Sequence, residues 1–242
     1  MNNEKDNWVA VTPRQRAVLE WDEANQPYST QFEDHYFSSG KGREETRFVF
    51  LQSNGLPERW SGMSDCVIGE LGFGTGLSFL ETWATWRENR VEGQQLIFQS
   101  VEGFPMSAQD LERALSPWSD LSPLKEHLLE IWEELANGPV QIDEQTVLQV
   151  VMEDVTIALE RFEHPVDTWF LDGFAPARNP QMWSVQVMES VAAASAPGAR
   201  FASYTAAGWV RQNLRQARFQ VERRPGFGNK RHMIAGYLED AI

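Results

Sequence analysis

Runs of apolar residues alternate with longer segments of helical spacing from residue 65 onward. The apolar runs occupy residues 66–71, 96–101, 147–152, 167–171 and 199–204. Between them, segments such as 77–87 and 180–194 repeat apolar side chains at the short intervals of an amphipathic helix. Strands that alternate with helices predict an α/β domain with a mostly parallel sheet and helices on both faces.

The N-terminal part of the chain breaks this alternation. Residues 1–60 carry short strand-like pieces at 17–21 and 47–51, separated by turn-forming Asn, Pro, Ser and Gly residues. We interpret residues 1–60 as an N-terminal extension packed on a main domain of residues 61–242.

Two later segments also modify the pattern. Residues 107–137 are mostly of helical spacing and are predicted to insert helices between the second and third strands. Residues 219–223 and 232–238 flank the turn-rich segment 225–229, and this arrangement predicts a C-terminal antiparallel hairpin. The predicted fold is therefore Rossmann-like, with a sheet that closes on a hairpin.

Candidate chemistry begins where the first strand runs into a glycine-rich turn. Glu70 precedes Gly72, Phe73, Gly74 and Gly76, and a predicted helix follows. Glycines at these positions allow a tight turn and let backbone N–H groups approach a ligand closely. The spacing G-x-G-x-G differs from the dinucleotide motif G-x-G-x-x-G. The Glu70 carboxylate would repel a pyrophosphate, and it is predicted to bind S-adenosylmethionine near the amino group of the methionine moiety. The loop therefore favours S-adenosylmethionine, with a dinucleotide or simple tight packing as the alternatives.

Three more acids follow apolar runs and therefore mark predicted strand ends. Glu102 follows the second run and is predicted to reach the ribose hydroxyls of the cofactor. Asp154 follows the third run and is predicted to accept from the adenine amino group. Asp172 follows the fourth run, where the methyl group would be presented, and is the predicted catalytic residue. For each of them the alternative is a helix-capping or turn-forming carboxylate.

Composition narrows the class of protein. A hydrophobic content of 42% with ten tryptophans predicts a globular protein, and the sequence contains neither a signal-peptide core nor an apolar stretch long enough to cross a bilayer. We expect a cytoplasmic protein, because the single cysteine, Cys66, can form no internal disulfide. The histidines are too dispersed for a metal site, and the motifs of hydrolases and nucleoside triphosphatases are missing.

The charge distribution gives two opposed indications about partners. A formal net charge of −14 argues against a polyanionic partner. Between Arg211 and Arg231, however, seven of the 21 basic residues occur with Glu222 as the only acid. This locally basic segment predicts a patch that binds nucleic acid, and the alternative is a solvated helix face carrying Arg211, Arg215 and Arg218.

Five ordered strings resemble the methyltransferase domain of the MnmC-type (MnmD-like) tRNA modification enzymes. The strings are FEDHYFS from Phe32, EETRFVFL from Glu44, ELGFGTGL from Glu70, DGFAPA from Asp172 and GFGNKR from Gly226. The resemblance runs from about residue 17 to residue 238. It implies transfer of a methyl group from S-adenosylmethionine to 5-aminomethyl(-2-thio)uridine at the wobble position of tRNA, which gives the 5-methylaminomethyl form.

That reaction assigns expected roles to further residues. Asp172 would accept a hydrogen bond from the attacking amine and stabilise the ammonium as it forms. Tyr36, Phe73 and Phe174 would contact the sulfonium or stack on the uracil, or else serve as plain core packing. Lys230 and Arg231 follow a flexible Gly-Phe-Gly turn and would contact the tRNA.

In bifunctional members of this family a second, FAD-dependent oxidase domain follows and produces the aminomethyl substrate. This sequence stops at Ile242, so we expect either a stand-alone methyltransferase served by a separate oxidase or a fragment of a longer protein. The competing function is an S-adenosylmethionine-dependent N-methyltransferase of a small amine or another RNA. A catalytically silent binding module is opposed by the intact Asp172 and glycines.

Overall fold

The structure is a computed structural model that describes residues 15–38 and 40–239. A small antiparallel sheet contains β1 (Leu19–Trp21), β2 (Pro27–Ser29) and β3 (Asp34–His35). The main sheet contains β4 (Asp65–Leu71), β5 (Gln95–Val101), β6 (Val140–Asp143), β7 (Thr146–Val151), β8 (Val166–Leu171), β9 (Ser195–Ser203), β10 (Phe219–Pro225) and β11 (His232–Leu238). Its spatial order is β10-β11-β9-β8-β4-β5-β7-β6.

The predicted mostly parallel sheet is confirmed. Strands β9, β8, β4, β5 and β7 run parallel, and each corresponds to one of the predicted apolar runs. Strands covered on both faces read as continuous apolar runs, which explains why the sequence pattern located them. The predicted hairpin is also confirmed, because β10 and β11 pair antiparallel from Phe219 opposite Leu238 to Pro225 opposite His232.

The helices cover both faces of the main sheet. They are α1 (Gly42–Thr46), α2 (Leu77–Asn89), α3 (Ala108–Ala114), α4 (Ser122–Ile131), α5 (Val155–Ala158), α6 (Val185–Ala193) and α7 (Gly208–Gln216). Short 3-10 turns occupy Gln52–Asn54, Glu58–Gly62, Ser119–Leu121, Glu134–Asn137 and Leu159–Arg161. Within the described residues, no helix combines the length and the apolar character that crossing a membrane requires.

Two hydrophobic cores lie on opposite sides of the sheet. One contains Phe79, Phe98 and Phe170, and the other contains Trp169 and Trp183. Alternate residues of β8 therefore serve different cores, as the two-residue period of a strand requires.

The segment before β4 packs against the first of these cores. Phe50 stacks on Phe170 with ring centroids 5.1 Å apart, and Trp60 meets Trp86 edge-on at 5.2 Å. Residues 1–14 of the predicted extension lie outside the described residues. The proposed division of the chain at residue 60 stays a prediction.

Two local predictions are wrong or incomplete. Residues 47–51 were predicted as a strand-like piece, but Arg47–Leu51 form a turn of π-helix that continues α1. A short apolar run cannot by its periodicity distinguish a strand from a buried helical turn, and Val49 and Phe50 are buried here. The helices predicted within 107–137 are present, but β6, which adds an antiparallel edge strand beside β7, was not predicted.

Candidate active site

A cavity of about 690 Å³ opens at the carboxyl ends of the central parallel strands. This is the edge at which doubly wound sheets bind their ligands. Residues from both sheets, from α1 and from the C-terminal hairpin line it, including Tyr36, Glu45, Gly72, Phe73, Gly74, Glu102, Asp154, Asp172, Phe174, Tyr204 and Lys230. The fold thus brings most of the predicted site residues to one cavity.

The glycine loop after β4 is shaped for close approach. Gly72, Gly74 and Gly76 adopt positive φ angles of 84°, 56° and 73°, in the region that favours glycine. A Cβ at Gly74 would lie 3.3 Å from a ring carbon of Tyr36, and one at Gly72 would lie 3.3 Å from the Cα of Gly173. A side chain at either position would therefore require Tyr36 or the backbone of Gly173 to shift.

Phe73 and Gly76 support the loop from the core side. Phe73 lines the cavity, but it is buried and stacks on Trp132 with centroids 5.5 Å apart. A Cβ at Gly76 would lie 2.9 Å from the ring of Phe73 and 3.1 Å from Leu128. Core packing, the alternative considered for Phe73, therefore accounts for much of its environment.

Glu102 connects the end of β5 to the glycine loop. Its Oε2 accepts from the backbone N–H of Gly74 at 2.7 Å, and its Oε1 accepts from the N–H of Phe104 at 2.8 Å. Burial raises the pKa of Glu102, and the two backbone hydrogen bonds act in the opposite direction. The carboxylate is therefore held in a fixed position at the wall of the cavity.

Glu70 lies behind the loop and is not among the described residues that line the cavity. Its carboxylate is buried, and its Oε2 accepts from the hydroxyl of Ser100 at 2.7 Å. Burial, reinforced by the nearby Asp172 and Glu102, raises the pKa of Glu70 well above its usual range. Its direct partners are thus parts of the protein, beneath the loop.

Asp154 lines the cavity and also caps α5. Its Oδ1 accepts from the backbone N–H of Thr156 at 3.0 Å and from the hydroxyl of the same residue at 2.6 Å. Its Oδ2 accepts from the side-chain amide of Gln181 at 3.4 Å. The capping role that was the alternative for this residue is therefore present, and it coexists with a position on the cavity wall.

Asp172 directly follows β8 and faces the cavity. Its Oδ1 accepts from the backbone N–H of Gly173 at 2.8 Å. Burial raises the pKa of Asp172 to about 7, the Gly173 hydrogen bond and Lys230 lower it, and Glu45 and Asp34 raise it. A carboxylate with this pKa exchanges its proton readily near neutral pH.

An aromatic wall forms part of the lining of the cavity. Phe174 stacks on Phe32 with centroids 4.6 Å apart, and Tyr36 meets Phe174 edge-on at 4.9 Å. Phe104 meets Phe32 edge-on at 5.5 Å. Tyr36 and Phe174 were predicted site residues, whereas Phe32 and Phe104 were not, although Phe32 opens one of the strings that carry the family resemblance. Burial raises the pKa of the Tyr36 hydroxyl, which therefore remains protonated at neutral pH.

Lys230 and Arg231, predicted as a pair, occupy different surroundings. The ammonium of Lys230 bonds to Glu45 Oε1 at 2.5 Å and lies 4.3 Å from the ring centre of Tyr204, all on the cavity wall. Arg231 is exposed and is not among the described residues lining the cavity. Neither Glu45 nor Tyr204 was predicted as a site residue, because only the fold brings them beside Lys230. Glu45 nevertheless lies in the EETRFVFL string that carries the family resemblance.

The basic C-terminal run is distributed over several elements. Arg211 and Arg215 lie on α7, and Arg223 and Arg224 lie on β10. Arg224 donates to the backbone carbonyl of Ser53 at 3.0 Å and is therefore engaged within the protein. Among the residues that the structure describes, no group of three or more His, Cys, Asp or Glu side chains is arranged to hold a metal ion.

Comparison with known proteins decides the family. The model of a family described as S-adenosyl-L-methionine-dependent methyltransferase matches residues 119–239. The chain belongs to this family. S-adenosylmethionine is accordingly its cofactor, as the glycine loop predicted.

Curated relatives confirm the resemblance to MnmC-type proteins. The chain is 44% identical over 226 residues to the tRNA 5-methylaminomethyl-2-thiouridine biosynthesis bifunctional protein MnmC of Ectopseudomonas mendocina (strain ymp), covering 91% of this chain and 34% of the relative. It is 41% identical over 226 residues, with the same coverage of both chains, to the protein of that name from Pseudomonas fluorescens (strain Pf0-1). The chain thus spans about a third of the length of these relatives.

A solved structure supports the fold. The crystal structure of MNMC2 from Aquifex aeolicus superposes with a TM-score of 0.73 at 21% sequence identity, covering 95% of this chain and 73% of that chain. At that identity the likeness establishes the Rossmann-like fold.

The cavity fits S-adenosylmethionine. Because Gly72 and Gly74 carry no side chains, the backbone of the loop before α2 lines the cavity directly. The acids around the cavity suit a cofactor that carries an ammonium, a sulfonium and ribose hydroxyls, and the volume of about 690 Å³ lies in the range of small-molecule sites.

Proposed function

We propose that this methyltransferase acts on the amine of 5-aminomethyl(-2-thio)uridine at the wobble position of tRNA and produces 5-methylaminomethyl(-2-thio)uridine. The observation that carries the proposal is Asp172, whose pKa of about 7 suits a proton acceptor and which shares one cavity with the glycine loop and Glu102. The name of the MnmC relatives, which refers to 5-methylaminomethyl-2-thiouridine in tRNA, supplies the substrate class.

The catalytic part of the proposal concerns the free oxygen of Asp172. When bound, S-adenosylmethionine supplies a methyl group activated by its sulfonium. Because Oδ1 accepts from Gly173, Oδ2 is the oxygen that we assign to the substrate amine. Asp172 would take the proton of the incoming ammonium on Oδ2 and release it to solvent. As a carboxylate it would then accept a hydrogen bond from the amine, orient the nitrogen lone pair and stabilise the positive charge that develops on nitrogen.

Cofactor and base binding are assigned to separate walls. We assign the backbone of Gly72, Phe73, Gly74 and Gly76 to the cofactor cradle, with Glu70 supporting it from beneath. Glu102 would accept from ribose hydroxyls and Asp154 from the adenine amino group. Glu102 and Asp154 reach the cavity from the ends of two parallel strands, β5 and β7, which matches a nucleoside lying along the edge of the sheet.

The aromatic wall is assigned to the substrate base. Tyr36 and Phe174 present ring faces and edges in the cavity beside Asp172, where a uracil would stack and water would be displaced. Lys230 at the cavity rim and the exposed Arg231 would contact the tRNA strand. A local basic rim suffices for these contacts even though the net charge of the chain is −14.

We further propose that an FAD-dependent oxidase supplies the aminomethyl substrate. The relatives carry the word bifunctional in their names, and this chain matches about a third of their length. The oxidase would act either as a separate partner or as a further part of a longer chain.

The function is tested by transfer of labelled methyl from S-adenosylmethionine into unfractionated tRNA from a strain that lacks its own aminomethyluridine methyltransferase. We expect labelling of that tRNA and none of tRNA from a strain that also lacks the aminomethyl group. Equal labelling of both samples would contradict the proposed substrate. Labelling of a small amine in preference to both would favour the competing function.

A further inference from the structure

Lys230 is held in one orientation at the rim of the cavity. Its ammonium bonds to Glu45 Oε1 at 2.5 Å and lies over the ring of Tyr204 at 4.3 Å. The side chain of Glu45 is only 12% exposed, and its other oxygen, Oε2, accepts from the hydroxyl of Ser38 at 2.5 Å. The carboxylate on one side and the aromatic face on the other thus hold the ammonium at the rim of the cavity.

The same group of contacts reaches Asp172. The hydroxyl of Tyr204 donates to the backbone carbonyl of Gly173 at 2.9 Å, and the N–H of Gly173 donates to Asp172 Oδ1 at 2.8 Å. Glu45, Asp172, Tyr204 and Lys230 all line one cavity. The pair of opposite charges is therefore fixed to the loop that carries Asp172.

Charges from several elements act on the Asp172 carboxyl. Besides burial, which raises its pKa most, Asp34 from β3 and Glu45 from α1 oppose its ionisation, whereas Lys230 from the hairpin turn favours it. The buried Glu70 from β4 is itself affected by Asp172, which raises the pKa of Glu70 further. Tyr204, which follows β9, is neutral because burial raises the pKa of its hydroxyl. Asp34 is hydrogen-bonded to the backbone, since its Oδ2 accepts from the N–H of Ala175 at 2.9 Å. Glu45 and Lys230 are thus the members of this set that contact each other.

We propose that Glu45 is a positioning residue that holds Lys230 beside Asp172, and that this pair sets the pH at which Asp172 takes the proton of the substrate ammonium. The inference rests on the proposed function. In that step the N–H bond breaks, the proton moves to Asp172 Oδ2, and the electron pair stays on nitrogen for attack on the methyl carbon. Removing either partner leaves the charge of the other uncompensated near Asp172. Removal of Lys230 should therefore raise the pKa of Asp172, and removal of Glu45 should lower it.

Titration of the ligand-free protein tests the pair directly. Carbon-13 NMR of the aspartate carboxyl groups, assigned with Asp172→Asn, reports the titration midpoint of Asp172. We expect Lys230→Met to raise the midpoint and Glu45→Gln to lower it, each by on the order of one pH unit. Lys230→Arg and Glu45→Asp keep the charges and should remain near the wild-type midpoint. Glu44→Gln removes a neighbouring exposed carboxylate and serves as the matched control.

Single-turnover methyl transfer on the same variants tests the consequence for catalysis. The acid limb of the rate profile should follow the NMR midpoints, moving to higher pH in Lys230→Met and to lower pH in Glu45→Gln. Midpoints that stay at the wild-type value, or that move in the same direction in both variants, overturn the proposal, as does an acid limb that does not follow them. Failure of the wild type to methylate tRNA would contradict the proposed function instead, and the ligand-free titration would still decide whether the pair controls Asp172.

Discussion

The carboxylate of Glu102 accepts a 2.7 Å hydrogen bond from the backbone N–H of Gly74. This contact joins the end of one parallel strand to the loop that follows its neighbour, and a second bond at 2.8 Å from the N–H of Phe104 fixes the other oxygen. The carboxylate thereby shapes the glycine loop and presents an anionic wall to the cavity. The geometry of the loop consequently depends on this side chain, which we also propose to bind the cofactor.

Replacement of Glu102 should weaken the cofactor site. In Glu102→Ala the ribose hydroxyls and two backbone N–H groups lose their acceptor, at a cost of roughly 1–3 kcal/mol in binding free energy. Calorimetric titration with S-adenosylmethionine measures this loss. Glu92→Ala, which removes an exposed carboxylate in a turn before β5, should bind as the wild type does. Unchanged affinity in Glu102→Ala would remove Glu102 from the cofactor site.

A comparison of Gly74→Ala with Gly93→Ala should distinguish the effect of backbone strain from the effect of a new side-chain atom at the cavity. Gly74 and Gly93 both have positive φ, at 56° and 84°, so alanine at either position costs about 1–2 kcal/mol of stability. A Cβ at Gly93 meets nothing within 4 Å, whereas one at Gly74 lies 3.3 Å from Tyr36. Thermal melts should therefore show both variants destabilised, and calorimetry should show weakened cofactor binding in Gly74→Ala alone. Equal cofactor affinities in the two variants would contradict a cradle at Gly74.

The parallel strands and the positions of Glu102 and Asp172 could be predicted from the sequence for one physical reason. Strands buried on both faces read as unbroken apolar runs, and polar residues that end such runs emerge at a common edge of a parallel sheet. The local sequence pattern therefore indicates where the cavity lies. The prediction failed at the short apolar run 47–51, which is helical in the structure. The conformation of such a short run depends on how it packs in the core and cannot be told from its periodicity.

Site residues that depend on contacts between distant parts of the chain could not be predicted from a local pattern. Glu45 reaches Lys230 across 185 positions of the chain, and the stack of Phe32 on Phe174 depends on how the small sheet lies over the main one. The position of Glu70 in the motif predicted a contact with the cofactor but not its partner within the protein, since its carboxylate accepts from the hydroxyl of Ser100. The contact of Glu70 with the cofactor stays a prediction. Local pattern identifies strand ends, whereas the direction and partners of a side chain require the tertiary structure.

Asp172→Asn should abolish most of the chemical step while preserving the fold and much of the cofactor affinity. An amide cannot take up the proton of the ammonium, so the loss should appear in kcat. Because the carboxylate form is the active one, the wild-type rate should rise as the pH increases through about 7, and the variant should lack this rise. Single-turnover kinetics would check both the loss of rate and the loss of its pH dependence. Asp65→Asn, which changes an exposed residue at the far end of β4, serves as the control. Near-normal methylation by Asp172→Asn would remove Asp172 from the mechanism.

Glu70→Gln should make the stability of the protein less dependent on pH. Burial raises the pKa of Glu70 in the folded state. The contribution of Glu70 to the free energy of unfolding is therefore fully present below the unfolded pKa of about 4.3, and it is lost as the pH rises through the folded pKa. Glutamine stays neutral and can still accept from Ser100. Urea unfolding at several pH values should show a smaller fall in the free energy of unfolding above about pH 5 for the variant than for the wild type or Glu92→Gln. Identical pH dependence would show that Glu70 ionises normally in the folded protein.

The most direct test of the account is mass analysis of the nucleosides of a tRNA that carries 5-aminomethyl-2-thiouridine, after one turnover with S-adenosylmethionine. We predict that the wild type converts this nucleoside to its 5-methylaminomethyl form and that Asp172→Asn, with the cofactor bound, leaves it unchanged. Product in which the methyl group lies on any atom other than the exocyclic amine, or an unmodified nucleoside under conditions in which a small amine is methylated, would contradict the account.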